Sequence, residues 1–403
     1  MENYNFNDLF IPPMGVVRTD TFSKMYPVIN MFIMDNCKLE KSRDGEVREL
    51  LDFKTQLLNP YRRCVGGWGR DINVFFLLAE AMWISMGRKD VNFLTIFNKQ
   101  MKEYSDDGKV FHAPYGYRLR HWGIASEMEF TAKAVENNGF DQVVNAIRLL
   151  AANPLTRQVV MEIWNPSFDL GHATKDLPCN DIVMLKIRDG KLITTIGNRS
   201  NDLHWGLPTN IFQFSFLTEL MSLALGVELG TQTHNSQSLH IYSWNEKANV
   251  MYNRFKQANH DVYKQDLYYG LGAFERKIDF KFVCNTAVNK FKEIEYILDI
   301  ILSNIETIAN GGDENKEEIE TVASKSEYLY RVYSLLKIYV AYKRKIAACE
   351  TDEEKDAARR TAISYIEVLT ATDEKPWDIA VLAKNFFQTR LSSKESDGLI
   401  GLL

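Results

Sequence analysis

The chain has 403 residues, of which 45% are hydrophobic and 25% are charged, and its formal net charge is -5. This length is comfortable for two domains, and the composition is typical of a globular protein with a sizeable core. The acidic balance argues against a nucleic-acid-binding surface, although a few local arginines can still bind a small anion.

Strand and helix patterns are mixed in the first part of the chain. Residues 73–87 contain a long apolar run that stops at a glycine, which predicts a buried helix. Residues 158–164 have a strand pattern, and residues 182–187 and 192–196 flank an Asp-Gly turn, which predicts a hairpin. A second long apolar helix is predicted over residues 212–225.

The pattern becomes helical after about residue 285. Apolar residues at helical spacing predict an amphipathic helix from Phe291 to Ile308, a second helix that contains Tyr328 and Tyr339, and a third over residues 352–370. A glycine-rich linker separates the first two. This periodicity favours a region used for packing or oligomerisation.

The cysteines and apolar runs indicate the compartment. Five scattered cysteines form neither a disulfide framework nor a CxxC pattern, and we predict no metal site. The first residues lack the features of a signal peptide, and no apolar run reaches the length of a membrane span. We therefore expect a cytoplasmic protein, located in the host cytoplasm if the source is viral, with no membrane or direct nucleic-acid partner.

Cys179 is the first candidate catalytic residue. It follows a proline, and Arg199, Ser200 and Asp202 follow about twenty residues later. The thiolate is the attacking form of cysteine, and a nearby guanidinium favours that anion. The pattern therefore suggests an activated nucleophile, although a lone cysteine is more often a buried, inert thiol.

Glu80 is the most informative carboxylate, because it lies inside the first apolar helix. A charge there is costly unless it is partnered, and burial should raise the carboxyl pKa toward values that suit proton transfer. Core packing is the alternative for this residue and for Tyr115.

The order of these residues resembles the thymidylate synthase family, whose signature is Pro-Cys-His, then Gln-Arg-Ser-x-Asp, then Gly-x-Pro-Phe-Asn-Ile. The chain has Pro-Cys-Asn at 178–180, Asn-Arg-Ser-Asn-Asp at 198–202 and Gly-Leu-Pro-Thr-Asn at 206–210. The resemblance extends over about residues 40–245. It implies that Cys179 adds to C6 of a uracil ring, so that C5 can attack the one-carbon unit of 5,10-methylenetetrahydrofolate.

The resemblance also implies a phosphate site. Arg43, Arg157 and Arg199 would contact the nucleotide phosphate, with Ser200 as a further donor, because a planar guanidinium matches phosphate oxygens. In the family two consecutive arginines reach the phosphate from the neighbouring subunit, so we expect a homodimer. The second of these positions is Gln158 here, which removes one charge.

Three further side chains are implied to bind the base and sugar. Asn210 would read uracil, since a carboxamide offers a donor and an acceptor side by side. The family's cytosine-specific hydroxymethylases have an aspartate at that position, so the asparagine favours a uracil nucleotide. His240 and Tyr242 resemble the His-x-Tyr that binds the sugar 3′-hydroxyl.

The remaining implied roles concern proton transfer and the folate. The segment with Glu80 and Trp83 resembles the family's His-Glu-Leu-Leu-Trp, whose glutamate organises waters around the pyrimidine. Tyr115 matches the tyrosine implicated in removing the C5 proton. Asp202 would accept hydrogen bonds from the pterin ring, and Trp83 would also contact the folate. Capping of backbone N–H groups is the alternative for Asp202.

The chain departs from the family pattern at the active-site roof and beside the thiol. Met101 and Tyr104 stand where thymidylate synthases have tryptophans that help hydride arrive from the folate, and Asn180 replaces the catalytic-site histidine after the nucleophile. An open roof would let water add instead, which gives a 5-hydroxymethyl pyrimidine. The family's short C-terminal closing segment has no obvious counterpart.

We therefore expect hydroxymethylation of dUMP, with thymidylate synthesis, a cytosine-nucleotide hydroxymethylase and a degenerate nucleotide-binding homologue as alternatives. The resemblance implies an α/β (α+β) fold with a mixed, mainly antiparallel sheet and flanking helices, followed by a helical C-terminal region. The predicted division is a catalytic domain over residues 1–285 and a helical extension over residues 286–403.

Overall fold

The computed structural model describes residues 10–11, 15–43, 45–64, 70, 72–123, 139–258, 276–374 and 377–392. Its strands are β1 (Phe10–Ile11), β2 (Val16–Thr19), β3 (Leu39–Ser42), β4 (Gly45–Leu57), β5 (Val159–Glu162), β6 (Asn180–Arg188), β7 (Lys191–Asn198), β8 (Asn201–Asp202) and β9 (Glu228–Tyr242). Its α-helices in the first part of the chain are α1 (Phe22–Asn36), α2 (Val74–Ser85), α3 (Val91–Phe97), α4 (Tyr115–Arg120), α5 (Gln142–Ala152), α6 (Pro166–Asp169), α7 (Gly206–Leu225) and α8 (Glu246–Ala258). The later helices are α9 (Ala287–Ala309), α10 (Lys316–Lys325), α11 (Glu327–Ile346), α12 (Asp352–Leu369) and α13 (Asp378–Gln388).

The strands form one nine-stranded sheet. Its order is β1-β2-β4-β9-β7-β6-β5, with β3 beside β4 and β8 beside β9. The pairs β2–β4, β7–β9 and β8–β9 are parallel, and the others are antiparallel. The predicted mixed, mainly antiparallel sheet is therefore confirmed.

Helix α2 forms where the apolar run predicted it. The side chain of Asn73 accepts a hydrogen bond from the Phe76 N–H and caps the first turn. The helix ends before Gly87, whose φ of +67° suits glycine, and a Cβ there would lie 2.6 Å from Cβ of Arg120. Ten of its twelve residues are buried, and Glu80 is partly buried among them.

The predicted β6–β7 hairpin is also confirmed. Asp189 and Gly190 have φ angles of +51° and +69°, as a two-residue type I′ turn requires. The hairpin aligns the beginning of β6 with the end of β7, because Asn180 pairs with Asn198. This register places the residue after Cys179 beside the residue before Arg199.

Helices cover one face of the sheet, and the later helices pack on them. Helices α9, α11 and α13 contact α2, and α9 also contacts α5 and α7. Three ion pairs among the described residues join the parts: Arg88 with Glu306 at 2.6 Å, Arg120 with Glu295, and Arg276 with Asp373 at 3.0 Å. One hydrophobic cluster contains buried apolar residues of both parts, and a second cluster contains those of α1, α8 and the neighbouring strands. The domain boundary at residue 285 stays a prediction, and the core is continuous across it.

The other face of the sheet stays partly open among the described residues. Val160 on β5 is 48% exposed, and Ile182 and Met184 on β6 are only partly buried. Their neighbours Val183 and Leu185, which point to the helices, are at most 1% exposed. The alternation shows which face of the sheet carries helices.

Candidate active site

The loop before Cys179 is held by buried charged groups. Arg118 on α4 makes two hydrogen bonds to the carboxylate of Asp169, which also contacts His112 at 3.0 Å. Asp176 accepts a hydrogen bond of 2.8 Å from the backbone N–H of Ala113. These contacts fix both ends of the segment that leads to the thiol.

Cys179 and Arg199 lie close together at the open end of the β6–β7 hairpin. The Nη2 atom of Arg199 lies 3.9 Å from the Cys179 Sγ atom, and its Nε donates to the Pro178 carbonyl at 2.8 Å. The backbone N–H of Arg199 donates to the Cys179 carbonyl at 3.1 Å. The predicted pairing of thiol and guanidinium is therefore present in the structure.

Burial decides the charge state of this thiol. Loss of solvent raises the pKa of Cys179 above its ordinary value, and the Arg199 guanidinium lowers it by a smaller amount. The carboxylates of Asp176, Asp181 and Asp202 add to the rise. The guanidinium acts in the expected direction, but burial outweighs it, so the neutral thiol is favoured at neutral pH.

Tyr115 and Asn180 surround the backbone of the same cysteine. The Tyr115 hydroxyl accepts a hydrogen bond of 3.4 Å from the Cys179 N–H, and it also hydrogen-bonds the Asn180 side chain. Burial raises the pKa of Tyr115, so the hydroxyl stays neutral and can both accept and donate. The ring stacks on Phe214 of α7, with centroids 6.3 Å apart.

Asn180 connects the nucleophile to the predicted base reader. Its Nδ2 donates to Oδ1 of Asn210 at 3.1 Å, and its Oδ1 accepts from Nδ2 of Asn198. Asn210 in turn donates to Oδ1 of Asn201 at 3.3 Å. Asn180 is 0% exposed and Asn210 6% exposed. Four carboxamides therefore form a hydrogen-bonded row directly behind the thiol.

Glu80 reaches the site through Gln213. Burial raises the pKa of the Glu80 carboxyl to about 8, and a hydrogen bond with Gln213 opposes the shift. The Glu80 side chain is partly buried overall, but its Oε2 atom is enclosed and has no hydrogen-bond partner among the described residues. Gln213 lies one helical turn after Asn210 on α7, which brings the carboxyl close to the row of carboxamides.

Asp202 and His240 form a second group at the beginning of α7. The Asp202 carboxylate accepts hydrogen bonds from the N–H groups of residues 204, 205 and 206, at 3.2, 2.6 and 3.3 Å. Burial raises the pKa of Asp202 and lowers that of His240, and each residue opposes the shift of the other. The Tyr242 ring packs edge-on against His240, with centroids 4.9 Å apart. Asp202 thus makes the capping contacts that were the alternative to a folate role.

Three predicted phosphate ligands lie away from this central group. Arg43 is in the exposed turn between β3 and β4, which lies near the end of β9 because Val47 pairs with Tyr242. Arg157 is exposed just before the edge strand β5. Ser200 is partly buried beside Arg199. Of the predicted phosphate ligands, the structure brings only Arg199 into contact with the thiol, and the roles of the others stay predictions.

The predicted roof residues lie on a 3-10 turn, Lys99–Tyr104. Met101 is partly buried against the core, and Tyr104 is 53% exposed. The next residues touch the loop before Cys179, since Asp106 accepts hydrogen bonds from Thr174 at 2.5 Å and from the Lys175 N–H at 3.1 Å. The turn is therefore joined to the nucleophile loop.

Trp83 is buried in the core, unlike the other predicted folate contacts. Its indole N–H donates to the Asp90 carbonyl at 3.1 Å, and its ring packs edge-on against Phe111. The side chain is 3% exposed, which leaves little surface for a folate. Its assignment as a folate contact stays a prediction.

Several site residues were not anticipated from the sequence. Asn198, Asn201, Gln213 and His234 are buried polar groups that contact the predicted residues directly or through one neighbour. The available signal was the alternation along β9, which puts His234 at a core-facing position where an apolar residue is usual.

Comparison with known proteins agrees with this geometry. The family model described as thymidylate synthase matches residues 69–277. The deoxyuridylate hydroxymethyltransferase of Bacillus phage SP01 is 44% identical over 202 residues, which are 50% of this chain and 51% of that protein. The deoxyuridylate hydroxymethyltransferase of Pseudomonas phage M6 is 37% identical over 232 residues, or 57% of this chain and 62% of that protein. Thymidylate synthase 1/2 of Encephalitozoon cuniculi is 36% identical over 141 residues, or 35% and 45% of the two chains.

The alignments leave a large part of each chain unmatched. This chain spans about half the length of the phage SP01 protein and less than two thirds of the other two. None of the described helices is long and apolar enough to cross a bilayer. The family match covers more than half of the 403 residues and includes the thiol, the arginine and the row of carboxamides. The chain therefore belongs to the thymidylate synthase family.

Proposed function

We propose that the chain transfers a one-carbon unit from 5,10-methylenetetrahydrofolate to C5 of dUMP and releases 5-hydroxymethyl-dUMP. The observation that carries the proposal is the contact series from Cys179 through Asn180 to Asn210. It sets a nucleophile for C6 beside a carboxamide that complements uracil.

Four side chains have separate roles toward the nucleotide. The Cys179 thiol first loses its proton to solvent, and the thiolate then attacks C6; Arg199, 3.9 Å away, stabilises that anion and offers its fork to the phosphate. Asn210 donates to O4 and accepts from N3–H of uracil. Tyr115 lies beside the nucleophile, and after the one-carbon unit is attached its neutral hydroxyl is suited to relay the C5 proton, accepting it while it donates its own proton to water.

Glu80 is suited to move protons near the base. With a pKa of about 8, its carboxyl is mostly protonated at neutral pH, yet it loses the proton at small cost. Its hydrogen bond with Gln213, one turn from Asn210, supports a role near the pyrimidine ring. An ordinary surface glutamate would be ionised and could not donate a proton at that pH.

The residues present fit a folate in part. Asp202 keeps lone pairs that can accept from a pterin ring even though it caps α7, and Tyr104 is half exposed on the turn that precedes Asp106. Trp83 offers little free surface. The folate supplies the one-carbon unit, and in the hydroxymethyl reaction it leaves as tetrahydrofolate without donating hydride.

The roof favours water over hydride. Tyr104 is 53% exposed and Met101 lies partly against the core, so neither residue encloses the site as a pair of tryptophans would. Water then completes the product, and its oxygen becomes the hydroxyl. The two phage relatives named deoxyuridylate hydroxymethyltransferase support this choice, whereas the Encephalitozoon relative supports thymidylate synthesis as the second candidate.

We also propose that the enzyme is a homodimer that uses the open face of the sheet. A cavity of about 370 Å³ on this face is lined by Arg199, Asp181 and Asn235 among others. Oδ1 of Asp181 and Oδ1 of Asn235 are buried and have no hydrogen-bond partner among the described residues. An exposed arginine such as Arg157, donated by a second copy, would satisfy these acceptors. A fully active monomer in sedimentation would contradict this assembly.

The test is to incubate the full chain with dUMP and methylenetetrahydrofolate and to determine the mass of the nucleotide product by mass spectrometry. We expect a product heavier than dUMP by one CH2O unit, without stoichiometric dihydrofolate. Cys179→Ala serves as the control and should give no product. The expected location is the cytoplasm, or the host cytoplasm if the source is viral.

Other outcomes would select the alternatives. Dihydrofolate formed one-for-one with product would show a divergent thymidylate synthase. Conversion of dCMP in preference to dUMP would show a cytosine-nucleotide hydroxymethylase. Nucleotide binding without any turnover would show a degenerate homologue.

A further inference from the structure

The row of carboxamides behind Cys179 extends into β9 and has a single direction. Every hydrogen bond in it runs from an N–H on one residue to an acceptor on the next. The order from donor to acceptor is Gln232, His234, Asn198, Asn180, Asn210, Asn201 and finally the hydroxyl of Ser236. All seven residues are buried, with exposures of 0 to 6%.

The direction is fixed at the Gln232 end. Nε2 of Gln232 lies 3.3 Å from the Ile211 carbonyl, which can only accept, so the amide must point its NH2 group there. The same NH2 group lies 2.9 Å from Nε2 of His234. That ring nitrogen must therefore be the acceptor, and the proton of the neutral imidazole is on Nδ1.

The tautomer then sets each following amide. Nδ1–H of His234 lies 3.2 Å from Oδ1 of Asn198, which turns the Asn198 NH2 group toward Asn180. Asn180 consequently points its own NH2 group at Oδ1 of Asn210, at 3.1 Å. Reversal of any one amide would set two oxygens or two NH2 groups against each other inside the core. The row therefore reverses as a whole or not at all.

The orientation imposed on Asn210 decides which base it fits. Its Oδ1 faces Asn180 and its Nδ2 faces Asn201, and each atom keeps one free site, a lone pair and an N–H respectively. Uracil needs a donor at O4 and an acceptor at N3–H. Cytosine needs the opposite order, since its amino group donates and its N3 accepts. A reversed Asn210 would therefore complement cytosine.

We propose that His234 is a positioning residue that holds the Asn210 carboxamide in the orientation that complements uracil, and so determines the choice of uracil over cytosine nucleotides. The inference rests on the proposed function. Burial lowers the pKa of His234 to about 3, which keeps the imidazole neutral and its tautomer fixed at every pH where the enzyme would work.

The experiment compares two substitutions of His234 in the full chain. His234→Met removes the donor to Asn198 and introduces an apolar side chain of similar length. His234→Asn places an NH2 group where Nδ1 stands and so keeps the donor. Thr194→Val is the matched control, because Thr194 is buried on β7 beside Gln232 but has no part in the row.

Calorimetric titration with dUMP and with dCMP gives the ratio of the two affinities for each protein. We expect this ratio to fall about tenfold or more in His234→Met, because one fixed donor and acceptor pair is lost. His234→Asn and Thr194→Val should keep the wild-type ratio. A loss of folding alone would weaken both nucleotides equally and leave the ratio unchanged.

Two results would overturn the inference. The first is that His234→Met keeps the same ratio of dUMP to dCMP affinity as a wild type that prefers dUMP. This result would leave the proposed function intact. The other is an equal loss in His234→Asn and His234→Met. Wild-type protein that binds neither nucleotide would refute the proposed function as well. If His234→Met does not fold, Gln232→Met removes the group that fixes the tautomer, and the same fall in ratio is expected.

Discussion

Replacement of Glu80 by glutamine should make the protein more stable and less active at the same time. Glutamine resembles the protonated carboxylic acid in size and in its single acceptor oxygen, so it matches the form that the core favours. The chemistry, however, needs a group that can release and recover a proton. Stability and activity should therefore change in opposite directions.

The size of the stability effect follows from the pKa shift. The carboxyl has an ordinary pKa of 4.5 and a folded-state pKa of about 8. Between these values the folded state keeps a proton that the unfolded state has lost, so the free energy of unfolding falls as pH rises, and it stops falling above pH 8. At about 1.4 kcal/mol per pH unit, the wild type should lose at most about 3 kcal/mol between pH 6 and pH 8 relative to Glu80→Gln. Partial exposure of the side chain reduces this value.

Urea unfolding of the wild type and Glu80→Gln at several pH values from 6 to 9 measures the difference. Glu320→Gln is the control, since it removes the same charge from an exposed position on α10. We expect the Glu80→Gln curve to separate from the wild type up to pH 8 and then to run parallel, and kcat to fall about 10²- to 10⁴-fold. Parallel curves over the whole range would refute the reasoning about burial, and an unchanged kcat would refute the proton-transfer role.

Three further predictions concern the nucleophile, the base reader and the core. Cys179→Ala should abolish turnover but leave dUMP affinity largely intact, as measured by calorimetry; near-normal turnover would disprove covalent catalysis. Asn210→Asp should shift preference from dUMP toward dCMP in competition kinetics, and an unchanged preference would exclude Asn210 as base reader. Glu219→Gln should lower the free energy of unfolding by about 3–5 kcal/mol, because it leaves the buried Arg63 without its counter-ion. The double variant Arg63→Met/Glu219→Leu should regain most of that loss, and equal losses in both would contradict the argument.

The sequence predicted elements wherever one apolar pattern dominated. Helix α2, the β6–β7 hairpin and helices α9, α11 and α12 follow their predicted ranges closely, because periodicity and turn residues agree there. Strand β9 was not predicted. Its core-facing positions carry Gln232, His234 and Ser236, so its pattern lacks the apolar alternation of a half-buried strand. Helix α10 is short and mostly polar, which gives little periodic signal.

The site was predictable as a set of chemical types and not as a set of contacts. Motif order indicated Cys179, Arg199 and Asn210, and the structure brings all three into one contact series. The partners that orient them depend on strand register and on which helix faces the sheet. Asn198 meets Asn180 only because the hairpin pairs these two positions. No local sequence pattern predicts a contact of this kind.

The shared core also bears on how the chain is made. Tyr339 of α11 stacks on Phe75 and hydrogen-bonds the Phe97 carbonyl, 242 residues away in sequence, and Phe386 and Phe387 of α13 pack on the same Phe75 ring. Synthesis proceeds from the N-terminus, so every residue of the contact series around Cys179 leaves the ribosome well before Tyr339, Phe386 and Phe387 do. Until the later helices are synthesised, one apolar side of α2 is uncovered, and this exposes the nascent chain to aggregation. Contacts between residues so distant in sequence also slow folding. The apolar cluster around the Phe75 ring is therefore complete only after helix α13 has been synthesised.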